Sequence, residues 1–117
     1  MTDSDERRAV ERLQRSERIS VKVSSSPGHP EQVGSEFQCS TVNISPDGLE
    51  FRCPDDLSLD TGLELCITIQ GSPTRFFLCG HVIYTEQAGA DSGYLVGVAF
   101  NDKVTADLLG WRALFEE

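Results

Sequence analysis

In the run Leu63-Glu64-Leu65-Cys66-Ile67-Thr68-Ile69-Gln70 every odd position is a large aliphatic residue and every even one is small or polar. A period of two puts all the aliphatics on one side of an extended chain, so this segment predicts a strand with one face in a core. The pattern recurs. Ile19-Ser20-Val21-Lys22-Val23, Glu36 to Ile44 (through Phe37, Cys39 and Thr41) and Leu49-Glu50-Phe51-Arg52-Cys53 alternate in the same way, while Arg75 to Thr85 and Tyr94 to Phe100 are longer apolar runs. Turn-forming residues separate them: Pro27, Gly28, Pro30 and Gly34; then Pro46-Asp47-Gly48, with a glycine free to take positive φ; then Pro54 to Gly62, Gly71-Ser72-Pro73-Thr74, and Gln87 to Gly93. Gly80 marks a bend or bulge within its strand. Six one-faced strands in a chain of 117 residues predict an all-β domain, and a small antiparallel barrel over a sandwich.

One helix closes the chain. Val104, Leu108, Trp111 and Phe115 recur at spacings of four, three and four, an apolar stripe for packing on the barrel, with Asn101 or Asp102 as the cap. No apolar run approaches the roughly 20 residues of a membrane span, and the acidic start Met1 to Glu6 lacks a secretory signal, so a cytoplasmic location without membrane insertion is expected. Cys39, Cys53, Cys66 and Cys79 have none of the close spacing of zinc or redox pairs and read as reduced packing residues. No metal site is expected.

The chain has a formal charge of −9, which argues against binding a nucleic-acid polymer. Its basic charge is concentrated at one end. Within residues 7–22, Arg7, Arg8, Arg12, Arg15, Arg18 and Lys22 are opposed by Glu11 and Glu17 only, whereas Arg52, Arg75, Lys103 and Arg112 are spread through an acidic remainder. Residues 1–18 therefore read as an arginine-rich arm and residues 19–117 as the barrel with its C-terminal helix. A guanidinium fork can hold a phosphate or a guanine edge through paired hydrogen bonds, and a local basic cluster suits a small anion. The arm's arginines could equally pair with Glu6, Glu11 and Glu17 along a helix face.

Catalytic machinery is not legible. His29 lies in a loop and His81 in a predicted strand, neither with a partner at motif spacing, and no phosphate-cradling glycine loop is present. A non-enzymatic binding protein is the expectation. The turn Asn43-Ile44-Ser45-Pro46-Asp47-Gly48 offers a second polar group: Asn43 and Ser45, two apart on a strand, face the same way and could both donate to a ligand.

Arg8-Ala9-Val10-Glu11-Arg12, followed by Asn43-x-Ser45-x-x-Gly48, resembles the PilZ domain, whose signature is RxxxR and then D/NxSxxG. The strand between the motifs, the last strand with Val96-Gly97-Val98-Ala99-Phe100 and the closing helix extend the resemblance over nearly the whole chain. It implies a six-stranded barrel and a bacterial receptor for the second messenger cyclic di-GMP. Arg8 and Arg12 would then grip guanine and phosphate, with Arg7 as an added clamp, and Asn43, Ser45 and Gly48 would shape the surface beneath the ligand. An arm that orders on the ligand would pass the signal to a protein partner. The competing readings are a PilZ-like interaction module without ligand and an unrelated oligonucleotide-binding barrel, for which Phe76, Phe77, Tyr84 and Tyr94 make a poor stacking surface.

Overall fold

A computed structural model describes residues 13–89, 93–101 and 103–116. The strands are β1 (Leu13–Gln14), β2 (Arg18–Ser25), β3 (Glu36–Ser45), β4 (Gly48–Cys53), β5 (Gly62–Thr68), β6 (Arg75–Gln87) and β7 (Tyr94–Phe100), and the helix α1 (Ala106–Ala113) follows. Their order is β1-β3-β2-β5-β6-β7-β4, and β4 returns to pair with β3. Every pairing is antiparallel. Six strands thus close into a barrel, which leaves no long unpaired edge. The seventh, β1, lies on β3 beyond the end of β2.

The alternation read in the sequence fills the interior. Ile19, Val21 and Val23 of β2, Leu49, Phe51 and Cys53 of β4, Leu63, Leu65 and Ile67 of β5, and Val96 and Val98 of β7 are all buried, and their polar neighbours face out. Ile69 is also buried although β5 ends at Thr68. The loop between β2 and β3 contains a single 3-10 turn, Pro30–Gln32, where the prolines and glycines argue against any regular element.

Trp111 plugs one end of the barrel. It is fully buried, with its ring edge-on to Phe76 at 5.6 Å and to Phe100 at 5.8 Å, and Phe115 leans on it at 5.7 Å. Leu108 and Trp111 realise the predicted stripe. Val104 does not: it precedes the helix and is exposed. The cap is Thr105, whose hydroxyl accepts from the Leu108 amide at 3.1 Å, because the helix starts later than Asn101 and Asp102 would set it.

The cysteines divide by strand parity. Cys53 is in the core and Cys39 packs against it, but Cys66 and Cys79 occupy outward positions of β5 and β6, and Cys79 is exposed rather than packed. All four are free thiols.

Two bulges shape one wall. Between Thr41 and Asn43 the β3–β4 register slips by one residue, and between Val82 and Tyr84 the β6–β7 register does the same. The second bulge flips the parity of β6: Val82 points into the core, while Tyr84 comes opposite Gly97 on the outside. Gly80 is not the bend. It stays in register with Leu63 and Phe100, and a Cβ there would lie 2.5 Å from the Ala99 carbonyl oxygen, so close strand approach explains this glycine.

Candidate functional site

The outward residues of five neighbouring strands line up across this wall. Gln14 of β1 is opposite Asn43 of β3, Asn43 opposite Glu50 of β4, Glu50 opposite Gly97 of β7, and Gly97 opposite Tyr84 of β6. Opposed residues on one face have Cβ atoms about 5 Å apart, close enough for side chains to bond in sequence. They do. Asn43 Nδ2 donates to Glu50 Oε1 at 2.8 Å, and the Tyr84 hydroxyl donates to Glu50 Oε2. Gly97 makes this possible: a Cβ there would fall 2.1 Å from the Tyr84 ring, so only glycine lets the phenol lie across β7 and reach β4.

Beside this chain lies a cleft of about 290 Å³ lined by Asn43, Ser45, Gly48, Glu50, Ile83 and Tyr84 among others. Asn43 and Ser45 face the same way, as their spacing predicts. One donor of each, however, is already used. Asn43 gives one of its two amide hydrogens to Glu50, and Ser45 gives its hydroxyl to the Gly48 carbonyl at 3.2 Å. What remains for a ligand is acceptor lone pairs on both side chains and the second Asn43 amide hydrogen. Gly48 is required for a different reason from the one its turn suggests. It is absent from the glycines with positive φ, Gly34, Gly71, Gly89 and Gly93; instead a Cβ would lie 2.2 Å from the Val98 carbonyl oxygen, inside the β4–β7 contact. The turn is also tied to the barrel plug, since Trp111 Nε1 donates to the Ser45 carbonyl at 2.8 Å and Arg112 bridges Asp47 at 3.0 Å.

Arg7, Arg8 and Arg12 lie outside the described residues. The chain that follows them does not. Leu13 pairs with Ile44 and Gln14 with Asn43, so residues assigned to the arm by sequence belong to the wall that carries the Asn43 turn. Between β1 and β2, residues 15–17 face only two residues of β3, and Thr41 fills the gap. Its hydroxyl donates to the Arg15 carbonyl and accepts from the Glu17 amide at 2.8 Å. The Glu17 carboxylate is buried, paired with Arg15 at 2.6 Å and accepting the Gln70 amide at 2.9 Å. Burial of a charge is tolerable only with such partners. Arg15 is thus engaged by Glu17 next to the site.

The histidines stay apart from the cleft. His29 contacts Glu31 at 3.2 Å in its loop, and His81 contacts Asn101 at 3.4 Å. No group of three or more His, Cys, Asp or Glu among the described residues could hold a metal ion. No described helix is long and apolar enough to cross a membrane.

The model of the PilZ domain matches residues 6–114, a span that includes both sequence motifs and the whole barrel. The chain belongs to the PilZ domain family. Two solved structures show the same fold. The inhibitor of motility MotI/DgrA of Bacillus subtilis superimposes with a TM-score of 0.66 at 14% identity, over 89% of this chain and 47% of that one, so this PilZ chain spans about half of its length. The PilZ domain of CeSA from a cellulose-synthesizing bacterium gives a TM-score of 0.61 at 16% identity, over 89% of this chain and 93% of that one. A comparison with curated proteins gave no match.

Glu50, Tyr84 and Gly97 are the site residues that sequence reasoning misses. Glu50 and Gly97 carry a signal in retrospect, because both are outward positions flanked by core residues. Tyr84 carries none, because the Ile83 bulge reverses its parity.

Proposed function

We propose that this PilZ protein is a non-enzymatic receptor for cyclic di-GMP, with the ligand held between the arginines of residues 7–12 and the wall around Asn43, Ser45 and Gly48. The observation that carries the reading is the pairing of Leu13 and Gln14 with Ile44 and Asn43. Arg12 is one peptide bond from Leu13, so the first motif, some thirty residues from the second in sequence, ends where the chain joins the strand that carries Asn43. Family membership supplies the ligand class.

The chemistry of the two sides is complementary. Asn43 Oδ1 and the Ser45 hydroxyl oxygen are acceptors facing the cleft, suited to the N–H groups of a guanine. Arginine forks suit its O6/N7 edge and the phosphates, each good bidentate contact contributing about 1–3 kcal/mol. Two or three such contacts are a large share of the roughly 8 kcal/mol that micromolar binding requires. Ligand capture would order the arm against β1 and β3 and present a new surface to a protein partner in the cytoplasm of a bacterial cell. The second reading is a PilZ barrel that acts through protein contacts alone.

Calorimetric titration of the full chain with cyclic di-GMP separates the two. Micromolar binding by the wild type, lost in Arg8→Ala and Arg12→Ala and weakened in Asn43→Ala, is the expected result. No heat with the wild type would overturn the receptor reading.

A further inference from the structure

A second cleft, of about 280 Å³, lies on a different part of the barrel wall, over β2, β5 and β6. Its centre is Thr68 of β5, which is opposite Arg18 of β2 on one side and Arg75 of β6 on the other. All three are outward and exposed. Two strand spacings separate the arginine Cα atoms by roughly 10 Å, so their side chains can converge over Thr68. Ser20, Gln38 and Cys66 complete the polar lining, and it contains no carboxylate.

That absence is unusual in a chain with 19 acidic residues against 10 basic ones. Three of the five other described cations face acids: Arg15 pairs with Glu17, Arg112 with Asp47, and Lys22 is flanked by Glu36 and Glu64 on its two neighbouring strands, whereas Arg52 lies opposite Leu95. Arg18 and Arg75 instead face each other across a threonine. Like charges placed in one row repel, and an anion between them turns that repulsion into attraction. The hydroxyls of Ser20 and Thr68 and the Gln38 amide add neutral donors from several directions. A tetrahedral anion with several acceptor oxygens uses such a set more fully than a planar carboxylate does.

We infer that the Arg18–Thr68–Arg75 cleft is a phosphate-binding site, separate from the Asn43 cleft, for the phosphate group of a small soluble ligand. The two clefts share no lining residue. The inference therefore stands whether or not the protein binds cyclic di-GMP.

The test is a titration of the isotope-labelled full chain, followed by amide chemical shifts at constant ionic strength. Inorganic phosphate, pyrophosphate and GTP are the probes, with sodium chloride as the control. Saturable shifts at the amides of Arg18, Ser20, Thr68 and Arg75 are expected with the phosphate probes and not with chloride. Stronger binding of GTP than of pyrophosphate would assign the site to a nucleotide phosphate, and equal binding to the phosphate group alone. Arg18→Ala and Arg75→Ala should each weaken binding at least about tenfold, since a hydrogen bond to a charged group is lost, while Arg52→Ala leaves it unchanged. Both side chains are exposed, so the variants should melt with the wild type. Shifts that rise linearly without saturation, or that survive in Arg75→Ala, would overturn the site. A tenfold loss of cyclic di-GMP affinity in Arg75→Ala would also overturn it, by making the cleft part of the dinucleotide site; Arg8→Ala tests the receptor reading independently.

Discussion

Tyr84 and Glu50 meet across an intervening strand: the phenol lies over Gly97 of β7 and donates to the carboxylate on β4, which in turn holds the Asn43 amide. Gly97→Ala should break this arrangement, because the new methyl would occupy the volume of the Tyr84 ring. Overpacking of this kind costs about 1–3 kcal/mol. The loss should be smaller in the Tyr84→Ala background, where the ring is gone. A double-mutant cycle by denaturant unfolding measures the coupling, and strictly additive losses would show that the ring is not what excludes a side chain at 97.

Trp111 is the chain's one tryptophan, and its indole N–H donates to the Ser45 carbonyl while its ring closes the barrel. A ligand that contacts Ser45 or Gly48 should therefore alter tryptophan emission, with no label needed. Addition of cyclic di-GMP to the wild type should shift or quench the fluorescence with the same midpoint as the calorimetric titration. Trp111→Ala should cost about 3–5 kcal/mol through the cavity it leaves, and it tests the plug rather than the site.

The link between arm and barrel depends on Thr41, whose hydroxyl serves the Arg15 carbonyl and the Glu17 amide inside the β1–β2 bulge. Thr41→Val keeps the shape and removes both bonds, leaving buried polar groups unpaired at a cost of about 1–3 kcal/mol. Amide exchange at Glu17 should accelerate, and Thr41→Ser should restore most of the protection. Equal exchange in Thr41→Val and wild type would show that the bulge is held by other contacts.

The barrel was legible because its information is local. Alternation at 19–23, 49–53 and 63–69 fixes which side of each strand is buried, and the turn residues between them fix where strands end. The closing helix was legible from Leu108 and Trp111 for the same reason. What sequence could not supply were consequences of cross-strand geometry. Gly48 reads as a turn glycine, yet its lack of a side chain is needed by Val98, fifty residues away. Gly80 reads as a bulge, yet the bulge lies at Ile83 and re-aims Tyr84. Asn43 and Ser45 read as donors, yet the Gly48 carbonyl takes Ser45's only donor and Glu50 takes one of Asn43's two. The pairing of Leu13 and Gln14 with β3 had no signal, because two residues are too few to show a period.

The four thiols should separate by reactivity. Burial pushes Cys39 up to about 12, with the neighbouring Cys53 adding to the rise, and burial pushes Cys53 up to about 11 from an ordinary 9.0. Only the thiolate reacts, so alkylation at pH 8 should label exposed Cys79 well before Cys39 or Cys53. The same shifts make stability depend on pH. The fold favours the protonated thiols, so their contribution is complete below pH 9.0; above it the unfolded chain releases protons that the folded chain retains. Thermal stability should therefore fall as pH rises from 9.0 through about 11, where Cys53 itself ionises, and on towards about 12 for Cys39. Cys53→Ala should flatten the first part of that decline. An identical slope in wild type and variant would assign the alkaline loss to other groups, and uniform alkylation of all four cysteines would contradict the burial of Cys53.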